Sequence, residues 1–243
     1  MQHNVNSLIG YSMEAKDGEI GKVKEFYFDD QTWAIRYLIL KTGNWLSGRK
    51  VLISPVALIK GECKSGRFPV NLTKEQICSS PDIDTDKPVS HQQEIELYGH
   101  YAWQRYGGSG FYAGGSAPFI VDSPPIIDEK IIKQTDNTER SGDALHLRST
   151  ERVTGYHVHA IDGAIGHVKD FIIDDQTWQL TYLVIDTNNW IGGEKVLIPV
   201  SHIKEVQWEN FNVIVDENIA SIKNSKVFHE SEFTHRENDS AVY

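Results

Sequence analysis

The amino-acid sequence predicts a mainly β protein: two small β-barrels, each with a short C-terminal helix, joined by a long Gly/aromatic linker. Two observations support this fold class. The 243-residue chain contains an internal repeat of domain size, and each copy consists of short β-branched and aromatic runs bounded by turn-forming residues. Two domains are also the natural expectation for a chain of this length.

The repeat is established by comparing the chain with itself. Residues 10–53 align with residues 155–198 at a constant offset of 145, and 25 of the 44 positions are identical. Identity at this level makes the two segments duplicates that share one fold. Beyond Ile53 the similarity weakens. Pairing Ile59 with Ile203 and Phe68 with Phe211 predicts that the second copy loses one residue and then another.

The first half of each copy is predicted to form turns and a hairpin. Asp17-Gly18 and Asp162-Gly163 are turn dipeptides, in which the glycine supplies a positive φ. The runs 23–28 and 33–40 are rich in β-branched and aromatic residues and flank Asp29-Asp30, a pattern typical of two strands joined by a turn.

The second half of each copy adds further strands and one helix. Residues 51–53 form a strand that ends before Pro55, and residues 68–72 form the last strand. Thr73, with Gln76 three positions later, predicts a capped short helix through Ile77. In the second copy, Asp216 is expected to take the cap position.

Short strands with close turns predict that each copy closes into a barrel. Closure would remove the sheet edges through which the copies could otherwise pair. The predicted organisation is a first barrel over residues 5–85, a partly disordered linker over 86–147, a second barrel over 148–228 and a disordered tail over 229–243.

Composition and charge restrict the classes of partner. The net charge of −10 is uneven: residues 1–90 carry 12 basic and 11 acidic side chains (+1), residues 91–146 carry 4 and 8 (−4), and residues 147–243 carry 8 and 15 (−7). Such a surface disfavours nucleic acid and anionic lipid. No apolar run is long enough for a transmembrane segment and no signal peptide is evident, so a cytoplasmic location is expected. Cys63 and Cys78 are expected to be reduced thiols.

The motifs of both copies resemble the PRC-barrel family, named for the cytoplasmic domain of the H subunit of the photosynthetic reaction centre. The first copy has five motifs in the family's order: Ile-Gly at 9–10, Asp-Gly-x-Ile-Gly-x-Val at 17–23, Phe-x-x-Asp-Asp-x-x-Trp at 26–33, Tyr-Leu at 37–38 and Val-Leu-Ile at 51–53 with proline at 55. The second copy repeats most of them between residues 155 and 199.

This resemblance implies a non-catalytic module without a cofactor. In the reaction-centre subunit the domain caps a membrane complex, and in a ribosome maturation factor a similar domain docks on a ribosomal protein. We therefore expect a protein-interaction or adaptor protein with an unknown protein partner. One alternative is a regulatory subunit of a reaction-centre-like membrane electron-transfer complex. A second is a metal-binding or enzymatic protein that uses the histidines of the second copy.

The residues that recur in both copies are interpreted as turn and core residues, and no catalytic or metal-binding residue is predicted. Adjacent carboxylates on a strand point to opposite faces, whereas Asp at the start of a turn accepts a backbone hydrogen bond. This structural set comprises Asp17, Gly18, Gly21, Asp29, Asp30 and Trp33, with Asp162, Gly163, Gly166, Asp174, Asp175 and Trp178 in the second copy.

The histidines and the remaining aromatic residues leave alternatives open. His157 and His159 would share one strand face with His167 nearby, as metal ligands or, as we favour, as surface side chains. The linker aromatics either fold back on a barrel or dock on a partner, and the tryptophans in the Gly/Asn-rich turns either pack internally or anchor an interface. The candidate interaction residues are Tyr98, Tyr101, Trp103, Tyr106, Phe111, Tyr112, Trp45 and Trp190. The two barrels either pair within the chain or form a homo-oligomer.

Overall fold

The computed structural model describes residues 1–43, 46, 48–59, 66–81, 97, 99–101, 147–187 and 194–233. These residues form two β-sheets, one centred on each copy of the repeat, with a few short helices. The prediction of a mainly β chain is therefore confirmed.

The first sheet is built on the first copy. Its strands are β2 (Ser12–Ala15), β3 (Gly18–Asp29), β4 (Ile35–Thr42), β5 (Lys50–Ile53), β6 (Arg67–Pro69) and β7 (Leu147–Ser149). The order is β5-β4-β3-β2-β6, and β7 pairs beside β3. All neighbours are antiparallel except β2 and β6, which are parallel.

The second sheet repeats this arrangement. Its strands are β1 (Gln2–Asn4), β8 (His157–Ala160), β9 (Gly163–Asp174), β10 (Gln179–Asp186), β11 (Lys195–Pro199), β12 (Ile203–Gln207) and β13 (Asn212–Val215). The order is β11-β10-β9-β8-β13-β12, and β1 pairs beside β9. In the described part of both sheets, the end strands do not pair with each other, so barrel closure is not part of the observed hydrogen bonding.

The strand registers show that equivalent residues of the two copies remain 145 positions apart even after the region of high identity ends. Ser12 lies opposite Arg67 on β6, and its equivalent His157 lies opposite Asn212 on β13. The predicted loss of two residues from the second copy is therefore wrong. Phe211 corresponds to Gly66, and both take a left-handed backbone with φ of 53° and 78°.

The helices are short. They are α1 (Val5–Leu8), α2 (Lys74–Cys78), α3 (Thr150–Val153) and α4 (Ile219–Lys223), with 3-10 turns at Pro55–Ala57, Val200–His202 and Glu230–Glu232. Thr73 caps α2 in the predicted capping box with Gln76. Asn218, not Asp216, caps α4, and its side chain accepts a hydrogen bond from the Ser221 amide at 2.7 Å. The Asp216 assignment was wrong because the presumed deletions shifted the alignment.

The early turn of each copy is tied to the start of its terminal helix. Asp17 Oδ1 accepts a hydrogen bond from the Lys74 amide at 2.8 Å, and Asp162 Oδ1 accepts one from the Ile219 amide at the same distance. Each aspartate satisfies a backbone donor that the helix itself leaves open. The turn and the C-terminal helix of a copy are thereby held together.

Two glycines mark a close approach between strands. A Cβ on Gly21 would lie 2.3 Å from the Lys41 carbonyl oxygen, and one on Gly166 would lie 2.0 Å from the Asp186 carbonyl oxygen. Both distances are far inside van der Waals contact, so only glycine fits without moving the backbone. This explains why both copies have glycine at this position.

The two copies exchange strands. β1 precedes the first copy in sequence but pairs with β9 of the second, and β7 precedes the second copy but pairs with β3 of the first. Gln2 lies opposite Asp174, and its equivalent Leu147 lies opposite Asp29. The expectation that closed edges would keep the copies from pairing is wrong, because the second half of each long strand has a free edge that the other copy fills.

The exchange changes where the core lies. Residues 25–28 of β3 and residues 170–173 of β9 are all buried, whereas buried and more exposed residues alternate just before them in each strand. One face of each segment therefore packs within its own copy and the other packs at the junction between copies. A single apolar cluster contains residues of both copies.

The last described segment is ordered. Phe228 and Phe233 stack with ring centroids 5.5 Å apart, and Phe233 is 5% exposed against Ile172, Val184 and Leu197. The Phe233 carbonyl accepts a hydrogen bond from the Asn4 amide at 3.2 Å. Residues 229–233, at the start of the tail predicted over 229–243, therefore place an aromatic side chain on an apolar face of the second sheet.

Candidate functional site

The region where the two copies meet, which we call the junction, combines backbone hydrogen bonds, packed aromatic rings, buried carboxylates and ion pairs. At its centre Ala34 lies opposite its own repeat equivalent, Gln179, in an antiparallel bridge. The Ile35 amide donates to the Trp178 carbonyl and the Leu180 amide donates to the Trp33 carbonyl, both at 2.8 Å. This reciprocal pair of hydrogen bonds gives the junction an approximate twofold symmetry within one chain.

The two tryptophans of the hairpin turns take a left-handed backbone, with φ of 58° at Trp33 and 55° at Trp178. Such a conformation costs about 1–2 kcal/mol for a residue with a side chain. Packing offsets that cost. The Trp33 ring stacks on Phe28 at 5.5 Å, and the Trp178 ring crosses the junction to contact Phe26 at 6.4 Å and Phe68 at 5.8 Å. The left-handed turns also direct both tryptophan carbonyls into the central bridge.

A carboxylate is buried on each side of the junction at equivalent positions. Glu25 is 6% exposed and accepts a hydrogen bond from the Ser149 hydroxyl of the exchanged strand β7. Asp170 is 5% exposed and accepts hydrogen bonds from the Asn4 side-chain amide at 2.9 Å and from the Asn6 backbone amide at 3.1 Å. These donors come from the segment that the other copy contributes, and Asp170 accepts one more hydrogen bond, from the Phe171 amide of its own copy at 2.8 Å.

Burial changes the protonation of these carboxyl groups. Desolvation raises the pKa of Glu25, and the hydrogen bond from Ser149 opposes part of that rise. Desolvation likewise raises the pKa of Asp170, against the opposing hydrogen bonds from Asn4, Phe171 and Asn6. A buried carboxylate costs stability when it is ionised, so each group weakens the junction at neutral pH unless its donors remain in place.

Ion pairs close the two ends of the junction. Asp30 Oδ2 lies 2.7 Å from Arg148 Nε on the exchanged strand β7, and their side chains are 9% and 13% exposed. The equivalent Asp175 pairs with His3 Nε2 at 3.1 Å and with the Met1 ammonium. Partial burial acts to raise the pKa of Asp175, but hydrogen bonds from the Met1 ammonium, His3 and Gln176 lower it overall.

A protein-family comparison identifies the repeated unit. The model of the PRC-barrel domain matches residues 2–76 and 152–227, which together are more than half of the chain. The chain belongs to the PRC-barrel domain family. A search of curated proteins finds none that matches the chain significantly. None of the helices in the described part of this PRC-barrel protein is long and apolar enough to cross a membrane.

The paired aspartates that recur in both PRC-barrel copies have divided roles. Asp29 Oδ1 accepts hydrogen bonds from the Gln31 and Thr32 amides at 3.0 and 2.9 Å, as expected for the first residue of a turn. Asp174 does the same for Gln176 and Thr177. Their neighbours Asp30 and Asp175 instead face the other copy, where they form the ion pairs described above.

The linker prediction falls mostly outside the described residues. Tyr98, Trp103, Tyr106, Phe111 and Tyr112 lie there, as do Trp45 and Trp190 of the turns. Tyr101 is described: it is 8% exposed, and the ring of His100 contacts it edge-on at 4.8 Å. Together with buried Leu97 it belongs to the main apolar cluster.

Of the three histidines on β8 and β9, His157 is exposed and His159 and His167 are half-buried. His157 lies directly opposite His167, whereas His159 lies opposite Ala164. Across the described ranges no three His, Cys, Asp or Glu side chains come close enough to hold a metal ion together. Cys78 is exposed and unpaired with another cysteine.

The sequence interpretation missed the residues that form the junction. β1 reads Gln-His-Asn and the equivalent β7 reads Leu-Arg-Ser, so the repeat has no identity there to reveal the exchange. One signal was present. Glu25 and Asp170 directly precede the apolar runs 26–28 and 171–173 at equivalent positions, and a carboxylate next to a buried run in both copies indicates a partner for it.

Replacing the buried carboxylate of the first copy by its neutral isostere tests the electrostatics of the junction. The pKa of Glu25 is raised in the folded protein. The loss of stability caused by ionising this carboxyl group is therefore absent below the ordinary glutamate pKa, and it grows as the pH rises through the pKa of Glu25 in the folded protein. Glu25→Gln should therefore increase the free energy of unfolding at pH 7, by an amount on the order of 1 kcal/mol.

Urea unfolding of Glu25→Gln between pH 4 and pH 7 measures this effect, with the exposed Glu209→Gln as control. The Glu25 variant should lose part of the decline in stability with rising pH, while the control should follow the wild type. A Glu25 variant that is less stable at pH 7 with an unchanged pH slope would contradict the assignment.

A double-mutant cycle tests the ion pair across the junction. Asp30→Ala, Arg148→Ala and the double variant should give a coupling energy above about 1 kcal/mol, because both side chains are largely withdrawn from water. The exposed pair of Glu14 and Arg67, at 3.1 Å with side chains 39% and 63% exposed, is the control and should couple by about 0–1 kcal/mol. Equal coupling in the two cycles would show that Asp30 and Arg148 do not meet across the junction.

Proposed function

We propose that this PRC-barrel protein is a non-catalytic protein-interaction or adaptor protein that presents two unlike surfaces in a fixed relative orientation. The observation that supports the proposal is the reciprocal strand exchange: each copy completes the sheet of the other. Two domains joined in this way cannot reorient independently without breaking backbone hydrogen bonds and uncovering a shared core. A cytoplasmic location is part of the proposal.

The outward surfaces of the two copies have diverged. In the second copy Tyr156 contacts Trp208 at 6.4 Å and Phe211 at 5.5 Å, and the guanidinium of Arg152 lies 5.6 Å from the Trp208 ring. Phe211 is 61% exposed. Clustered aromatic side chains with arginine are characteristic of protein interfaces.

Phe211 is unusual because its backbone favours glycine. Its φ is 53°, and the first copy has Gly66 at the equivalent turn. A bulky residue in the left-handed region costs stability, and here the exposed ring recovers little burial. An exposed aromatic residue retained at such a cost supports a role in contacting a partner. The candidate linker residues and the turn residues Trp45 and Trp190 stay predictions for further contacts.

A glycine substitution separates binding from folding at this position. Phe211→Gly restores the residue type of the first copy, so stability should stay within about 1 kcal/mol of the wild type. In quantitative capture from extracts of the native cells, the variant should lose partners that the wild type retains. Ile161→Ser, which removes an apolar side chain that is 74% exposed elsewhere on the second copy, is the matched control and should retain them.

Two results would overturn the proposal. One is a wild-type protein that retains no protein above the bare matrix. The other is a Phe211→Gly variant that captures the same proteins in the same amounts as both the wild type and the Ile161→Ser control.

A further inference from the structure

A row of cationic side chains crosses the first sheet at right angles to its strands. The strand registers place Arg67 opposite Ser12, Ser12 opposite Lys22, and Lys22 opposite Lys41, and Lys41 lies opposite Lys50. We call this set the basic row: Arg67, Ser12, Lys22, Lys41 and Lys50. Residues directly opposite each other in neighbouring strands share a face of the sheet, so the row is continuous over β6, β2, β3, β4 and β5.

The basic row faces solvent. Arg67, Lys22 and Lys41 are exposed, and Ser12 and Lys50 are half-buried. Among the described residues, no carboxylate lies within 4 Å of the ammonium of Lys22 or Lys41. Arg67 contacts Glu14 at one end. Ser12, between Arg67 and Lys22, donates a hydrogen bond to the Glu19 carboxylate at 3.3 Å. The positive charge that no carboxylate of the described residues contacts is therefore that of Lys22 and Lys41.

This arrangement is unfavourable for the sheet itself. Like charges directly opposite each other on neighbouring strands repel, and the row contains two consecutive lysine pairs. The fold does not require them. The equivalent residues of the second copy are Asn212, His157, His167, Asp186 and Lys195, in the same register. With neutral histidines that second row carries no net charge, whereas the basic row carries four positive charges.

The length of the row indicates the size of its ligand. Five strands about 4.8 Å apart span about 19 Å, which is the length of about six residues of extended peptide. Screening at physiological salt limits each charge to a range of about 8 Å, so the row acts locally despite the net charge of −10. A nucleic acid would extend past both ends of the row onto an acidic protein, which disfavours it.

We propose that the basic row binds an extended acidic segment of a partner protein, a run of about six residues rich in carboxylates. The segment lies across the strands, so side-chain charges and not added-strand hydrogen bonds hold it. This inference rests on the proposed adaptor function and assigns the class of partner recognised by the first copy.

Fluorescence anisotropy with a fluorescein-labelled hexaglutamate peptide and the full chain tests the proposal. The wild type should bind saturably, and the double variant Lys22→Gln/Lys41→Gln should bind about tenfold more weakly. The matched control is Lys169→Gln/Lys204→Gln, which removes the same charge from exposed strand positions of the second copy and should leave affinity unchanged. Circular dichroism of all variants establishes that they are folded.

A variant designed to gain a second binding site provides an independent test. His167→Lys/Asp186→Lys gives the second row cations at two positions where the basic row has lysine, and it should raise the number of peptides bound per chain from one to two. Failure of this variant to bind a second peptide would contradict the claim that cationic side chains placed opposite each other on neighbouring strands form the site.

Three further results would overturn the proposal: no binding of hexaglutamate by the wild type, an equal loss in the Lys169/Lys204 control, or tighter binding of a twelve-nucleotide oligothymidine that depends on the same two lysines. These outcomes are distinguishable from failure of the adaptor function. If partners are captured through Phe211 but hexaglutamate does not bind, the proposal for the basic row is rejected and the adaptor function is supported. If hexaglutamate binds but no protein is captured, the adaptor function is rejected.

Discussion

Each copy contains a strand of 12 residues beside a neighbour of 4, and the short neighbour pairs only with the first part of the long strand. The second part would leave backbone donors and acceptors unpaired along one edge. A free edge of this kind is both an energetic cost and an aggregation hazard. The chain fills each edge with the segment that precedes the other copy, and the joined core and the fixed orientation of the two surfaces follow from this pairing.

The chemistry of the junction follows from the same pairing. The exchanged segments contribute Ser149 to Glu25 and Asn4 to Asp170, so each buried carboxylate has its side-chain donor only when the copies are paired. A buried polar group of this kind contributes little net stability, but it penalises any other register of the exchanged strand. The two copies make this contact with different residue pairs, so the hydrogen bond to a buried carboxylate is present in both although its residues differ.

Part of this architecture could be predicted from the sequence. The identity between residues 10–53 and 155–198 establishes the duplication, and the Asp-Asp turns and the Thr73 cap follow from local hydrogen-bonding chemistry. The exchange could not be predicted, because β1 and β7 share no residue and have three residues each. The later alignment failed because hydrophobic residues were matched by type. Gly66 and Phe211 share a backbone conformation, not a side chain.

Duplication followed by divergence explains why the two surfaces differ while the junction stays symmetric. Junction positions are constrained by both copies at once, whereas the basic row lies on the first copy and the aromatic residues Tyr156, Trp208 and Phe211 lie on the second. Cutting the folded chain tests the junction most directly: a protease site is placed between Tyr101 and Leu147, and the cleaved protein is analysed by size-exclusion chromatography with light scattering. If the exchanged strands hold the copies together, the cleaved protein elutes as one species with the 27.5 kDa mass of the intact chain and separates only in urea. Two fragments that elute separately in native buffer would contradict it.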